Sequence, residues 1–176
     1  QKGLRSMEIG ATGLGFNFNA ELPDREDILE SLQRPNSRRI FALRQALLAG
    51  ITEEEIFAVS AIDPWFVRQL QDIVEMEQHI RNFGMANDMT ATNGDLAVIL
   101  REAKEYGFSD RQLAEMWKRP EADIRRLRQE MHILPTYYLV DTCAGEFEAY
   151  TPYFYSTYEK GEEIKLENRR KVLILG

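Results

Sequence analysis

Residues 43–56 read LRQALLAGITEEEI, and residues 100–113 read LREAKEYGFSDRQL. Both stretches pass from a helical pattern to a glycine, Gly50 or Gly107, and then begin a second helical pattern. A helix that ends on a left-handed residue favours glycine there, because a Cβ atom resists this backbone conformation. Each stretch therefore predicts two helices joined by a tight turn.

The residues after each glycine predict where the second helix begins. Thr52 with Glu55, and Ser109 with Gln112, have the spacing of a capping box, in which two side chains satisfy free amide groups at a helix start. The positions of a hydrophobic staple are occupied by Ile51 with Ile56 and by Phe108 with Leu113. A glycine at the helix end, a capping box and a hydrophobic staple occur in both stretches. Three independent rules therefore predict the same turn between helices in each stretch.

The similarity extends beyond the turn and indicates an internal repeat. Shifting the sequence by 57 positions aligns residues 43–46 with residues 100–103 and continues through the following helix. Further aligned pairs are Ile56 with Leu113, Val67 with Ile124, Arg68 with Arg125 and Leu70 with Leu127. The sequence therefore predicts two copies of one helical unit.

The fold class predicted is all-α, a multihelical domain with two related helical units, followed by a Tyr/Thr-rich irregular segment and a short terminal strand. Helices are predicted at about residues 38–49, 64–82 and 94–106, with a short one after Pro23 and Asp24. Pro64 and Pro120 are predicted to be first helical residues, with Asp63 capping the former. Residues 83–93 read as a loop.

Composition excludes several classes of protein. The chain has 176 residues, which fits one domain, and no apolar run is long enough to cross a bilayer. A formal charge of -7 disfavours binding to nucleic-acid phosphates and anionic lipid. Cys143 is the single cysteine, so an intrachain disulfide is impossible, and we expect it to be a small buried residue.

No catalytic, cofactor or metal site is predicted within this sequence. The glycines of residues 10–15 lack the spacing of a dinucleotide or phosphate loop and read as a turn-rich segment. Three successive glutamates, Glu53 to Glu55, point in different directions around a helix, so they cannot converge on a metal ion. They are better explained as negative charges at the positive end of the helix. His79 and His132 have no second ligand at zinc spacing, and Ser156 lacks the turn that exposes a nucleophile.

One block after the helices resembles a known family. Val140-Asp141-Thr142-Cys143-Ala144-x-Glu146-Phe147, followed by Tyr155-Ser156-Thr157-Tyr158-Glu159, is similar to the central block of the carbamoyl phosphate synthetase large subunit. Matches in the same order occur upstream at Ile62-Asp63-x-Trp65-Phe66 and Gly107-Phe108-Ser109-Asp110. Leu4-Arg5-Ser6-x-Glu8-x-Gly10-Ala11-Thr12-Gly13 resembles the exit from the first ATP-using half, and residues 171–176 resemble the first strand of the second half.

The resemblance implies a connecting and oligomerisation domain excised from a larger enzyme. Residues 1–21 would be the exit segment from the first synthetase half, 22–149 the helical domain, and 150–176 the lead-in to the second half. The parent family makes carbamoyl phosphate from bicarbonate, glutamine-derived ammonia and two ATP, with Mg as a cofactor, for pyrimidine and arginine biosynthesis. The implied partners are the two halves of the large subunit, a glutamine-hydrolysing small subunit and a second copy of the chain. The protein is expected in the cytoplasm. This piece alone is expected to be inactive.

Two groups of residues are candidates for a contact surface. The helix predicted at 64–82 has a wide apolar arc, which suggests burial on two sides, either inside the domain or partly against another subunit. The tyrosines after Pro135 have flat apolar faces with polar tips and suit either a contact or a cap on the domain's own core. The candidate interface residues are Trp65, Phe66, Leu70, Ile73, Tyr153, Tyr155 and Tyr158.

An alternative function is DNA binding by a helix-turn-helix regulator. Residues 108–114 followed by residues 124–128 resemble a short helix, a turn and an arginine-bearing recognition helix. Against this alternative, residues 100–131 have eight Lys or Arg and seven Asp or Glu, a net charge of only +1.

Overall fold

The computed structural model describes residues 1–15, 20–86, 94–147, 153–159 and 172, and the chain divides into two compact units. The helical unit is Gln1–Ile133 and the sheet unit is Leu134–Gly176. In the described residues the elements are α1 (Lys2–Arg5), α2 (Arg25–Gln33), α3 (Arg39–Leu48), α4 (Glu53–Ser60), α5 (Pro64–Ala86), α6 (Gly94–Glu105), α7 (Asp110–Trp117), α8 (Glu121–Glu130), β1 (Thr136–Leu139) and β2 (Phe154–Thr157). The predicted fold class is confirmed.

The predicted repeat is present in the backbone. We call residues 39–73 repeat A and residues 96–130 repeat B. Gly50 and Gly107 both have positive φ, at 71° and 85°. The next residue in each turn donates its amide to a carbonyl five positions back, Ile51 to Ala46 and Phe108 to Ala103, both at 2.9 Å. These are the closing hydrogen bonds of a left-handed helix cap, and they occur at the same place in both repeats.

Both predicted capping boxes are confirmed, and both staple pairs lie in the core. The Thr52 hydroxyl accepts from the Glu55 amide, the Ser109 hydroxyl accepts from the Gln112 amide, and each reciprocal bond is present. The matched apolar positions are buried in each repeat: Ile51 and Phe108, Ile56 and Leu113, Val67 and Ile124. Helix α2 adds Ile28 and Leu32 to the core of repeat A. Burial of these side chains is the main stabilising term of the unit.

The long helix α5 continues to Ala86, so the prediction of a loop beginning at residue 83 is wrong. The extra turn is held by α7, because the Trp117 indole donates to the Ile80 carbonyl at 2.8 Å and lies directly against Gly84. A Cβ at Gly84 would lie 2.2 Å from the Trp117 ring. Tertiary packing therefore extends a helix beyond the point where local signals end it. The rest of the predicted loop, 87–93, lies outside the described residues.

The start of α8 also differs from the prediction. Pro120 is the residue before the helix, with an extended backbone of φ -62° and ψ 140°, and helical geometry begins at Glu121. The Pro120 carbonyl accepts the Asp123 amide at 3.0 Å, which makes it the cap. Asp63 caps α5 as predicted, because its carboxylate accepts the Trp65 amide at 2.8 Å.

The sheet unit contains a small antiparallel sheet in the segment predicted to be irregular. β1 and β2 pair with Thr136 opposite Thr157 and Tyr138 opposite Tyr155. Strands of four residues without polar and apolar alternation have no recognisable period, so the sequence does not reveal them. Cys143 is only half-buried, contrary to expectation, because it lies in an exposed turn where its amide donates to Asp141. Apart from Val172, the predicted terminal strand lies outside the described residues.

Candidate association surface

The first turn of α5 exposes two aromatic side chains. Trp65 is 54% exposed and Phe66 is 58% exposed, although the next residue, Val67, is fully buried in the core of repeat A. The two rings contact edge to face, with centroids 5.0 Å apart and planes at 87°. This arrangement holds both rings in place and leaves their outer faces in solvent. Large exposed aromatic pairs of this kind are typical of protein contacts.

An open groove of about 390 Å³ lies beside the aromatic pair. Six of its eight lining residues are apolar, and the full set is Arg39, Ile40, Leu43, Ile62, Phe66, Gln69, Leu70 and Ile73. Leu70 and Ile73 are half-buried at its floor. The predicted residues Phe66, Leu70 and Ile73 therefore line one groove, and Trp65 contacts Phe66 beside it. The α3 wall was not among the predicted interface residues, although the apolar face of residues 38–49 was visible in the sequence.

A buried ion-pair network fixes the two walls of the groove. Arg44 of α3 makes a two-pronged contact with Glu77 of α5, from Nε to Oε2 at 2.8 Å and from Nη2 to Oε1 at 2.5 Å. Arg81 adds bonds of 3.1 and 3.0 Å from Nε and Nη2 to Glu77 Oε1. Glu77 is only 1% exposed and Arg44 is also buried, so loss of Glu77 would leave the Arg44 guanidinium buried without its carboxylate partner. The groove is therefore built on a rigid frame.

Repeat B has charged side chains at three of the four corresponding positions. Shifted by 57 positions, Trp65 corresponds to Ala122, Phe66 to Asp123, Gln69 to Arg126 and Ile73 to Glu130. Arg126 pairs with Asp123 at 3.0 Å and lies 3.9 Å from Glu130. The same helix start is therefore apolar in repeat A and ionic in repeat B.

Repeat B also has a buried cluster of one carboxylate and two cations. Lys104 Nζ donates to Asp110 Oδ1 at 2.9 Å and to the Phe108 carbonyl at 2.8 Å. Arg128 donates from Nη2 to Asp110 Oδ2 at 3.2 Å and from Nη1 to the Ile133 carbonyl at 2.9 Å. The cluster ties α6, α7 and α8 to the last residue of the helical unit.

The electrostatics of this cluster favour an ionised aspartate. Burial raises the pKa of Asp110, but the hydrogen bond and charge of Lys104, followed by those of Arg128, outweigh it and lower the pKa below its ordinary value. Burial is also the main reason why the pKa of Lys104 is lowered. These charges are structural, since they face one another in the interior.

The glycine-rich stretch near the start of the chain packs against repeat B. Gln1 Oε1 accepts the Leu14 amide at 2.7 Å and the Gln112 side-chain amide at 3.2 Å. Arg5 donates to the Gly107 carbonyl at 2.6 Å and to Gln112 Oε1 at 3.0 Å. A Cβ at Gly13 would lie 2.1 Å from Gln1 and 2.2 Å from Gln112, so this glycine permits close packing.

The predicted tyrosines belong to the sheet unit, whereas the predicted α5 residues belong to the helical unit. Tyr153 and Tyr155 are exposed and Tyr158 is half-buried. Tyr155 stacks on its cross-strand neighbour Tyr138, with centroids 5.8 Å apart and planes at 28°. The other face of the sheet exposes Tyr137, Leu139 and Phe154. Both faces of this small sheet are therefore rich in apolar side chains.

The DNA-binding alternative receives no support from the arginines of α8. Arg128 is buried against Asp110, Arg125 pairs with Glu121 at 3.2 Å, and Arg126 pairs with Asp123 at 3.0 Å. An arginine that is already neutralised by a neighbouring carboxylate is poorly suited to phosphate binding. The helix therefore lacks the basic stripe of a groove reader.

Among residues 1–15, 20–86, 94–147, 153–159 and 172, no cluster of three or more His, Cys, Asp or Glu could hold a metal ion. Of the three glutamates at the start of α4, Glu53 pairs with Arg68 at 2.6 Å and Glu55 pairs with Arg25. The described helices also include none that is long and apolar enough to span a bilayer.

Comparison with known proteins identifies the family. Residues 1–132 match the family model described as the carbamoyl-phosphate synthetase large chain, oligomerisation domain. The whole chain is 42% identical to the carbamoyl phosphate synthase large chain of Archaeoglobus fulgidus and 43% identical to that of Synechocystis sp.. The Myxococcus xanthus protein of the same name is 44% identical over 99% of this chain. The chain spans about 16% of the length of these relatives. It belongs to the oligomerisation-domain family of carbamoyl-phosphate synthetase large chains.

Proposed function

We propose that this chain is the connecting and oligomerisation module of a carbamoyl phosphate synthase large chain, and that it associates with a second copy through the α3–α5 face. The single observation that carries the proposal is the exposed Trp65–Phe66 pair beside an apolar groove. A specific contact needs roughly 1,000 Å² of buried surface, and a central aromatic anchor typically supplies much of its energy.

Repeat B supports this proposal as an internal comparison. If exposed apolar side chains were merely tolerated at this helix start, there would be no reason for the two repeats to differ so sharply. Phe66 and Ile73 correspond to Asp123 and Glu130. Isolated exposed apolar residues are ordinary on protein surfaces, whereas a contiguous patch with a groove indicates a contact.

The parent reaction gives this module a geometric role. In our proposal the whole large chain makes carbamoyl phosphate in the cytosol from bicarbonate, two ATP and ammonia that a glutamine-hydrolysing small subunit releases, for pyrimidine and arginine biosynthesis. ATP and Mg would bind in the two flanking halves, and this module alone would have no turnover. The rigid helical unit, with its buried Arg44–Glu77 and Lys104–Asp110 pairs, is suited to holding the halves in register.

We propose domain limits of 1–21 for the exit segment, 22–149 for the helical domain and 150–176 for the lead-in to the second half. Tyr153, Tyr155 and Tyr158 are proposed to pack against that half. A two-stranded sheet is marginally stable alone, and this one exposes aromatic residues on both faces. Such a sheet gains stability when a neighbouring domain covers it.

The test of the association surface is sedimentation equilibrium of residues 1–176 over a wide concentration range. The double variant Trp65→Ala with Phe66→Ala is expected to weaken self-association at least about tenfold, because it removes the proposed anchor. The matched control is Val98→Ala with Tyr106→Ala, since both residues are similarly exposed but lie in repeat B. Equal effects of the two double variants, or a strictly monomeric wild type, would contradict the proposal.

A further inference from the structure

We infer that a pocket between the start of the chain and the start of α7 binds the phosphate group of a small molecule. The pocket has a volume of about 280 Å³. It is lined by Arg5, Glu8, Gly10, Ala11, Thr12, Ser109 and Arg111. These residues come from two segments that are distant in the sequence. The site therefore does not need the phosphate loop that residues 10–15 lack, because side chains from both segments supply the contacts.

Arg5 is held in place and still has donors to offer. Its Nη1 atom donates to the Gly107 carbonyl at 2.6 Å and to Gln112 Oε1 at 3.0 Å. The Nε and Nη2 atoms make no hydrogen bond with the residues that the structure describes. Burial lowers the pKa of Arg5, and no nearby carboxylate offsets this effect. Since a guanidinium stays protonated in proteins, Arg5 is a fixed and partly buried positive charge that an anion would stabilise.

Arg111 supplies a second positive charge from the first turn of α7. It is exposed and makes no ion pair with any described residue. The adjacent Asp110 is not available to neutralise it, because Lys104 and Arg128 already share that carboxylate. Among the described residues of the lining Glu8 is the one acid, so two arginines and one glutamate give a net charge of +1. The pocket is therefore positive in a chain whose formal charge is -7.

A buried hydroxyl adds a neutral donor to the two arginines. Thr12 Oγ1 is buried and has no hydrogen-bond partner among the described residues. The backbone of the same residue is satisfied, since its amide donates to the Gly15 carbonyl at 3.1 Å. Buried hydroxyl groups in proteins are normally hydrogen-bonded, so this one is available to an acceptor.

The number of donors favours a phosphate group over a carboxylate. Each guanidinium can present two parallel N–H groups to two oxygens, and the Thr12 hydroxyl adds a further donor. One guanidinium uses both oxygens of a carboxylate, whereas a phosphate group has at least three strong acceptor oxygens. The pocket also lies at the N-terminus of α7, whose positive end adds to the attraction of an anion.

The test is a titration of isotope-labelled residues 1–176 with inorganic phosphate, in which phosphate replaces chloride at constant ionic strength. We expect the amide resonances of residues 10–12 and 109–112 to shift and to saturate together, because the ligand contacts both segments. Acetate should bind at least about tenfold more weakly, since it has fewer oxygens. Shifts that do not saturate, that spread over all exposed basic residues, or that are equally strong with acetate would overturn the inference.

Arg111→Gln removes one positive charge from the pocket. The variant should raise the dissociation constant for inorganic phosphate at least about tenfold, because a pair of charge-assisted hydrogen bonds is lost. Arg34→Gln is the matched control, since it removes an exposed arginine at the end of α2 and should leave the constant unchanged. Equal effects of the two variants would reflect net charge alone and would contradict the inference.

Thr12→Val separates a ligand contact from a structural role. Valine has nearly the same shape, and the hydroxyl that it lacks has no partner in the described part of the chain, so stability should be retained while phosphate binding weakens. Melting curves and the phosphate titration measure the two properties. Binding as tight as in wild type, or a clear loss of stability, would contradict the inference. A strictly monomeric wild type would refute the proposed association alone, because this pocket shares no lining residue with the α3–α5 groove.

Discussion

Repeats A and B have the same turn, the same capping box and three matched pairs of buried apolar residues, but they differ in what they expose. Repeat A presents Trp65 and Phe66 to solvent, and repeat B presents Asp123 and Arg126 at or near the matched positions. The shared residues are those that fix the backbone and the core. The difference shows that the shared residues set the backbone, while the side chains at the matched surface positions set the chemistry of each face.

The two repeats also differ in how they use a matched carboxylate. Glu53 of repeat A forms a partly exposed pair with Arg68, whereas the corresponding Asp110 is buried between Lys104 and Arg128. Repeat A has Leu47 and Gln71 where repeat B has these two cations. The ion pair is therefore partly exposed in repeat A and buried in repeat B, although its carboxylate occupies the same helix position.

The largest expected effect comes from Asp110→Asn. The substitution removes the negative charge that two buried cations share, and breaking a buried pair in this way costs about 3–5 kcal/mol. The matched substitution Glu53→Gln affects a more exposed pair and should cost less than about 1 kcal/mol. Urea unfolding of both variants measures the free energy of unfolding. An equal loss of this free energy in both variants would contradict the predicted difference between the two ion pairs.

Lowering the pH should remove part of the same stability without a mutation. The pKa of Asp110 is lower in the folded protein than its ordinary value, because Lys104 and Arg128 outweigh the opposing effect of burial. Its contribution is therefore complete above the unfolded pKa of about 4 and is lost as the pH falls through the folded pKa. The stability difference between wild type and Asp110→Asn should shrink in acid, and a difference that stays constant from pH 7 to pH 2 would contradict this assignment.

Gly84→Ala tests how repeat B is attached to the long helix of repeat A. The new Cβ would lie 2.2 Å from the buried Trp117 ring. Overpacking of this kind outweighs the gain in helix propensity of about 1 kcal/mol, so we expect a net loss of about 2 kcal/mol. Gly94→Ala is the control, because a Cβ there meets no atom within 4 Å. Thermal melts of both variants decide the point, and unchanged stability of Gly84→Ala would contradict the observed packing.

The smallest effects are expected at the two capping boxes. Thr52→Ala and Ser109→Ala should each cost about 1 kcal/mol, since each removes an acceptor from a helix start. The loss should be greater at Ser109, because Gln112 is fully buried and also contacts Gln1 and Arg5. Ser109→Thr retains the hydroxyl and should restore most of the stability. A greater loss at Thr52 in chemical denaturation would contradict the ranking.

Local features of the fold were predictable from the sequence. Gly50, Gly107 and the two boxes act through neighbouring atoms, so their spacing alone identifies the turns and helix starts. The 57-residue repeat was visible because the buried positions of both copies are apolar. The wide apolar arc of α5 was also visible in the sequence, which predicted burial on two sides but left open whether the second side lies inside the domain or against another subunit.

Features that depend on distant residues were not predictable. The last turn of α5 depends on Trp117, which is 33 residues from Gly84 in the sequence. The α3 wall of the groove and the Lys104–Asp110–Arg128 cluster appear only when separate helices are packed together. The pairing of β1 with β2 joins residues up to 21 positions apart, and neither strand has a period of its own. Each case involves a contact between separate segments, so the spacing of neighbouring residues does not identify the two partners.

The most direct test of the central claim is the tryptophan emission spectrum of residues 1–176 across a dilution series that spans the association. The sequence has two tryptophans, of which Trp117 is buried in the helical unit and Trp65 is exposed. If copies associate through the α3–α5 face, emission shifts to shorter wavelength as concentration rises, because Trp65 leaves water. If the mass rises with concentration while the emission stays unchanged, Trp65 is outside the contact and the account is contradicted.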